Sequence, residues 1–190
     1  MAKKKLYGAY KIIWAFYLSY VKIDFIIMEK ERLLLCIGRY DHYYDSVNNK
    51  SSVFLGLSTF IVGGLTVGFF AIKDFVACTP CIYLLMIALI LIGIVIMIIV
   101  ILAATPFVSK DTDSLHYFGS ISCKSHEEFC TKSIECISEE DELKDLRMQV
   151  HQLACGLSSK FYRLKTAGVL FTIQFTLFIP LLMLIIHNLK

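Results

Sequence analysis

Three long stretches of this chain contain no charged residue: 51–72, 81–104 and 166–186. The middle one lacks proline as well. An α-helix rises about 1.5 Å per residue, so about 20 apolar residues cross the roughly 30 Å hydrocarbon core of a bilayer. Charge-free runs of that length exclude ordinary amphipathic helices, which keep one face for water. A chain of 190 residues has too little other material to cover three such elements with protein. Other absences narrow the function. There is no nucleophile motif and no carboxylate inside a span, so an enzyme is not expected, nor is any cofactor. There is no inverted repeat and no broken span, which argues against a transporter. The net charge of +3 is small and mixed in sign, which leaves nucleic acid no docking surface. No small-x-small cleavage site follows the N-terminal apolar segment, so a cleaved signal is rejected.

What is present agrees. Hydrophobic residues make up 57% of the chain, above the roughly 45–50% of soluble domains. The expected fold is an all-α membrane protein with three transmembrane helices and a helical stalk or sensor module on the cytoplasmic side, ahead of span one and between spans two and three. The divisions are a basic, aromatic extension (1–28), a cytoplasmic helix (29–50), span one (51–72), an external hairpin (73–80), span two (81–104), a cytoplasmic loop and helical sensor (105–165) and span three (166–187). Lys and Arg number seventeen in residues 1–52 and 105–165 together, against two in the hairpin and tail. The positive-inside rule therefore places the N-terminus and the middle segment in the cytoplasm. Cys36, Cys123, Cys130, Cys136 and Cys155 are then expected to be reduced. Cys78 and Cys81, beside the hairpin, form a disulfide if that side is oxidising and stay thiols otherwise.

Two readings of residues 1–28 stay open. Trp14, Tyr17 and Tyr20 suit an interfacial helix at the headgroup level, whereas a start at Met28 leaves the preceding residues without a role.

Leu33, Ile37, Tyr40, Tyr44 and Val47 recur in steps of four and three and make one stripe on a helix. A second stripe runs through Leu143, Leu146, Val150, Leu153, Leu157, Phe161 and Leu164. Both lead into spans, so the two helices are expected to pair. Ser125 before Glu127 and Glu128, and Ser138 before Asp141, read as helix starts. Span one carries Gly56, Gly64 and Gly68 at multiples of four, a pattern for close helix packing within the chain or between copies. Cys123, His126, Cys130 and Cys136 match no familiar zinc spacing, and no metal is expected.

The order RYDHYYDSVNNKSSVFLGLSTFIVG, SLHYFGSI, then EEDELKDLRMQVHQLACGLSSKFYRLKTAGVL resembles the transmembrane effector family of the Pycsar antiphage system over residues 30–189. The resemblance implies a protein of the bacterial inner membrane. Such a protein is activated by a cyclic pyrimidine mononucleotide (cCMP or cUMP) from a partner nucleotide cyclase, and it disrupts the membrane and arrests or kills the infected cell. A membrane module gated by a cyclic oligonucleotide or by a protein partner is the alternative. The expected partners are the nucleotide, the lipid bilayer and further copies of the chain in a homo-oligomer.

A cyclic monophosphate needs a cation, an aromatic face and groups for the base edge and ribose hydroxyl. Lys50, Arg147, Lys160, Arg163 and His151 are candidates for charge, Tyr44, Tyr117 and Phe118 for stacking, and Asp45 or Asn49 for the base edge. The plain alternative is that these are a solvated face and the basic residues that topology alone puts beside a span.

Overall fold

A computed structural model describes residues 2–72, 80–106, 114–135 and 138–188. Residues 73–79 of the hairpin expected at 73–80, including Cys78, and Cys136 lie outside the described residues. Every element among the described residues is an α-helix: α1 (Ala2–Ile72), α2 (Pro80–Ala104), α3 (Phe118–Ser122), α4 (His126–Glu135) and α5 (Glu139–Asn188). Three stretches are long and apolar enough to cross a membrane, Tyr20–Ile72, Pro80–Ala104 and Glu139–Asn188. α1 has no break at residue 28 or 50.

Local chemistry sets the helix starts. Pro80 opens α2 at a position where no N–H is needed. The Ser125 hydroxyl accepts the Glu128 N–H at 3.2 Å while the Glu128 carboxylate accepts the Ser125 N–H at 3.2 Å, a reciprocal capping box that starts α4. Ser138 accepts the N–H groups of Glu140 and Asp141 and starts α5.

The chain divides into two compact units. The first comprises 1–41 and 108–154. Here Leu33 of α1 packs with Leu143 and Leu146 of α5, flanked by Ile26, Ile37 and Val150. Steps of three and four put these apolar residues on one face, and water drives that face into its partner.

The second unit comprises 42–107 and 155–190. Its buried residues on α2 are Ile82, Met86, Leu89, Gly93, Ile96, Val100 and Ala103. They alternate steps of four and three without exception, the spacing of a coiled-coil seam. Two clusters form along it. Leu65, Ile82, Met86, Leu89 and Leu181 make one, and Ile96, Val100, Ala167 and Phe171 the other. Phe54 meets Phe171 edge-on with centroids 5.1 Å apart.

Of the two sequence stripes, Leu33, Val47, Leu143, Leu146, Leu157 and Leu164 are buried, and Ile37, Tyr40, Tyr44, Val150 and Leu153 are half-buried. Phe161 is exposed, and the interior position beside it is taken by Lys160. Steps of four then three from Leu157 reach Leu164 through Phe161, and steps of three then four reach it through Lys160. The heptad that continues from Leu146 and Leu153 and on to Ala167 and Gln174 selects Lys160.

Candidate functional site

The candidate residues fall into two sets, one in each unit. In the first unit Ser114 is buried, and its hydroxyl accepts the N–H groups of His116 and Tyr117, each at 3.1 Å. The Tyr117 carbonyl then accepts from Ser120 and Ile121, so α3 begins here. The Tyr117 ring lies over Gly119, where an added Cβ would stand 2.5 Å from ring atom Cε1. A side chain at Gly119 would therefore displace the Tyr117 ring, a constraint of contact and not of backbone conformation. Phe118 is exposed, its ring centroid 5.0 Å from that of Tyr117.

The loop is tied to α5 by Asp145, whose Oδ2 accepts the Leu115 N–H at 2.8 Å. Asp145 Oδ1 is buried and has no partner among the described residues. Beside it lies a cleft of about 290 Å³, lined by Leu115, His116, Phe129, Ser133, Glu142 and Asp145.

Arg147 is engaged. Its Nε and one terminal nitrogen donate to the two carboxylate oxygens of Glu29 at 2.9 and 2.7 Å, a bidentate pair. The Arg147 hydrogen bond holds the Glu29 carboxyl below its ordinary range, and Glu29 raises Arg147 in return. Lys30 pairs with Glu142 at 2.8 Å. His151 is exposed one turn further along α5.

The second unit holds Tyr44, Asp45, Asn49, Lys50, Lys160 and Arg163. Lys160 is only 5% exposed, and its ammonium donates to the carbonyls of Ala103 and Thr105 at 2.6 and 2.7 Å. Arg163 donates to the Leu102 carbonyl at 2.6 Å. A helix leaves its last carbonyls without partners and carries partial negative charge there. Two cations from α5 therefore close the C-terminal end of α2. The Lys160 ammonium also sits 5.8 Å from the Tyr44 ring centroid. Burial pushes Lys160 below the ordinary lysine range, and the Arg163 charge adds to the shift.

Asp45, Asn49 and Lys50 are exposed on α1 just ahead of span one. Of the four Lys and Arg candidates, Lys50 alone has no hydrogen-bond or ion-pair partner among the described residues.

The span-one glycines are open within the chain. A Cβ at Gly56 or Gly64 would meet nothing within 4 Å, and at Gly68 only the Met86 methyl at 3.9 Å. A close interhelical approach falls instead at Gly93 of α2. A Cβ there would overlap Val62 and lie 2.9 Å from Gln174 Nε2. Gln174, 1% exposed, donates from Nε2 to the Leu89 carbonyl at 3.0 Å. Neither Gly93 nor Gln174 is marked by small-residue spacing, although a glutamine in an uncharged apolar run is itself a signal. His126 and Cys130 face each other on α4 at 3.7 Å. No group of three or more His, Cys, Asp or Glu gathers as for a metal among the described residues.

Fold and site together define an all-α membrane protein, with three apolar helices and a polar module outside the spans. The Pycsar effector protein domain matches residues 32–187, and the chain belongs to that family. Membership makes it a cyclic-nucleotide-gated antiphage membrane effector. No curated protein and no solved structure matches the chain.

Proposed function

We propose that this protein senses a cyclic pyrimidine mononucleotide, cCMP or cUMP, made by a partner cyclase during phage infection. It then disrupts the bacterial inner membrane as a homo-oligomer, with its N-terminus in the cytoplasm, and stops growth of the infected cell. It works by gating and not by catalysis. The observation that carries this reading is the match of the Pycsar effector domain across residues 32–187.

The phosphate contact falls to Lys50. Arg147, Lys160 and Arg163 are each held by a partner, and recruiting one of them to a ligand requires breaking that bond first. Lys50 has nothing to break, with Asn49 next to it and Asp45 about one and a half turns before it. Residues 42–50 and 155–165 belong to the same unit as spans one and three and continue into them as helix. A ligand shifts an equilibrium only by its differential affinity for two states. Binding at Lys50 therefore acts on the helix that becomes span one.

The test is binding of cCMP, cUMP and purine cyclic mononucleotides to the detergent-solubilised full chain, beside cyclase co-expression with membrane potential recorded. The expected outcome is pyrimidine-selective binding that weakens about tenfold or more in Lys50→Ala, together with loss of depolarisation. Binding of a cyclic oligonucleotide in place of either mononucleotide sinks the reading. Normal binding by Lys50→Ala with lost depolarisation moves Lys50 from the pocket to the gate.

A further inference from the structure

Hydroxyl groups in the spans behave in two ways. Ser52, Thr59, Thr172 and Thr176, on exposed faces, each donate to the carbonyl four residues back, at 2.8–3.1 Å. That closure is what a hydroxyl beside hydrocarbon requires. Ser51 and Ser58 face inward, 1% and 0% exposed, and neither makes such a bond. Gln174 is likewise half satisfied, since its Nε2 donates to Leu89 while its Oε1 has no partner.

These unused polar atoms are aligned. Ser51 and Ser58 are seven residues apart on one face of α1, about 10 Å along the axis. Gln174 continues from Ser58, because it meets the same Gly93 that Val62, one turn beyond Ser58, meets. Past Gln174 the interior turns wholly apolar at the cluster of Leu65, Ile82, Met86, Leu89 and Leu181. In the half that holds Ser51 and Ser58 these polar atoms lie beside the apolar cluster of Ile96, Val100, Ala167 and Phe171, whereas in the other half no buried polar side-chain atom is left without a partner among the described residues. Unpaired polar groups inside a membrane are costly and accumulate where water or ions pass. Apolar constrictions close such passages by dewetting.

We propose that water and small ions cross the membrane through the interior of the span bundle along Ser51, Ser58 and Gln174, and that the apolar cluster of Leu65, Ile82, Met86, Leu89 and Leu181 is the gate. The proposal rests on the nucleotide-gated reading above and specifies how the membrane is breached. At rest Ser51, Ser58 and Gln174 are 1%, 0% and 1% exposed, and the plug is closed. On activation the helices part, and the serine hydroxyls and the Gln174 amide take water as their missing partner.

The experiment uses the full chain in lipid vesicles with cCMP or cUMP as activator and a charged, water-soluble methanethiosulfonate as probe, labelling being located by peptide mass. Cys introduced as Ser58→Cys is expected to stay unlabelled at rest and to be labelled on activation. Cys introduced as Thr59→Cys, its outward neighbour, stays unlabelled in both states. Gln174→Leu is expected to insert and bind nucleotide normally while ion leakage falls, and Leu65→Asn, which wets the plug, to leak without any nucleotide. Leakage from activated Ser58→Cys vesicles with that cysteine unlabelled overturns the route and leaves the nucleotide reading standing, as does equal labelling at 58 and 59. Wild-type vesicles that leak with neither nucleotide overturn the nucleotide reading. In that event, a tight Leu65→Asn overturns the route as well, and a leaky one retains it.

Discussion

Residues 143–150 and 164–181 of α5 follow the same steps of three and four, yet the two stretches are held by different forces. In the first, Leu143 and Leu146 meet Leu33, the exposed face of α5 carries Glu140, Lys144, Arg147 and His151, and the ion pairs Lys30–Glu142 and Glu29–Arg147 flank the contact. In the second, Ala167, Phe171 and Leu181 meet α1 and α2 residues, and the far face is apolar too. Burying leucine from water releases hydration free energy, whereas burying it from hydrocarbon gains only packing. The first seam is therefore driven by solvent and the second by shape. The second seam has a glycine, Gly93, at a close helix contact, and a buried polar group, Gln174, bonded across it.

The same substitution on both seams sharpens the contrast and has the largest expected effect. Leu146→Ala should destabilise the first unit by about 2–5 kcal/mol, the transfer and cavity terms together. Leu89→Ala, as fully buried, keeps only the cavity term and should cost clearly less in detergent or lipid. Hydrogen exchange at residues 26–37 reads the first, and thermal denaturation of the solubilised protein reads the second. Equal losses would erase the distinction between the two seams.

That difference in solvent also governs what was legible in the sequence. Where one face of a helix meets water, polar residues outline the seam, and the run from Leu33 to Val47 was readable, as were the caps at Ser125 and Ser138. In α2 every position is apolar, so nothing in composition separates Leu89, which is buried, from Leu91, which is exposed. Small-residue spacing drew attention to Gly56, Gly64 and Gly68, while the in-chain contact fell on Gly93, which has no small partner four residues away. In the sequence Lys160 reads as a candidate for charge at a ligand or as one of the basic residues that topology puts beside a span, and neither reading makes it an interior residue. Only the α2 carbonyls, brought near by the fold, make its interior position tolerable. The candidate site was legible as residue types and not as free or committed groups, since commitment depends on partners such as Glu29 and Leu102, far away in the sequence.

Lys160 supplies an effect of intermediate size, where the two kinds of environment meet. Lys160→Met leaves the Ala103 and Thr105 carbonyls without their donor and should cost about 1–3 kcal/mol. Its pH dependence has a definite sign. Burial lowers the folded-state pKa of Lys160 below the ordinary 10.5, so between the two values the unfolded chain holds more protons. Stability of the second unit should therefore rise with pH across that alkaline window in wild type, and this rise should be missing in Lys160→Met. Thermal midpoints of the two proteins across the alkaline range decide it. A parallel response would show that the ammonium is hydrated and that α2 ends without this cap.

The smallest effect belongs to Glu29 and Arg147, and it bears on whether charge contributes to the first seam at all. Arg147 is 49% exposed, and ion pairs that reach solvent are worth little even when bidentate. The direction is still fixed. The Arg147 hydrogen bond lowers the folded-state pKa of Glu29 below the ordinary 4.5. The pair's contribution is complete above that ordinary value and fades as pH falls through the lower folded value. Acidification from about pH 5 to about pH 3 should lower the thermal midpoint of wild type more than that of Arg147→Met. Glu29→Gln should behave like Arg147→Met, and the double variant like either single one, because the interaction is already gone. Additive losses in the double variant would mean that each side chain supports the seam through its own methylenes against Leu33 and Leu146. In that case the first seam is held by solvent exclusion alone, and its charges serve alignment without stabilising it.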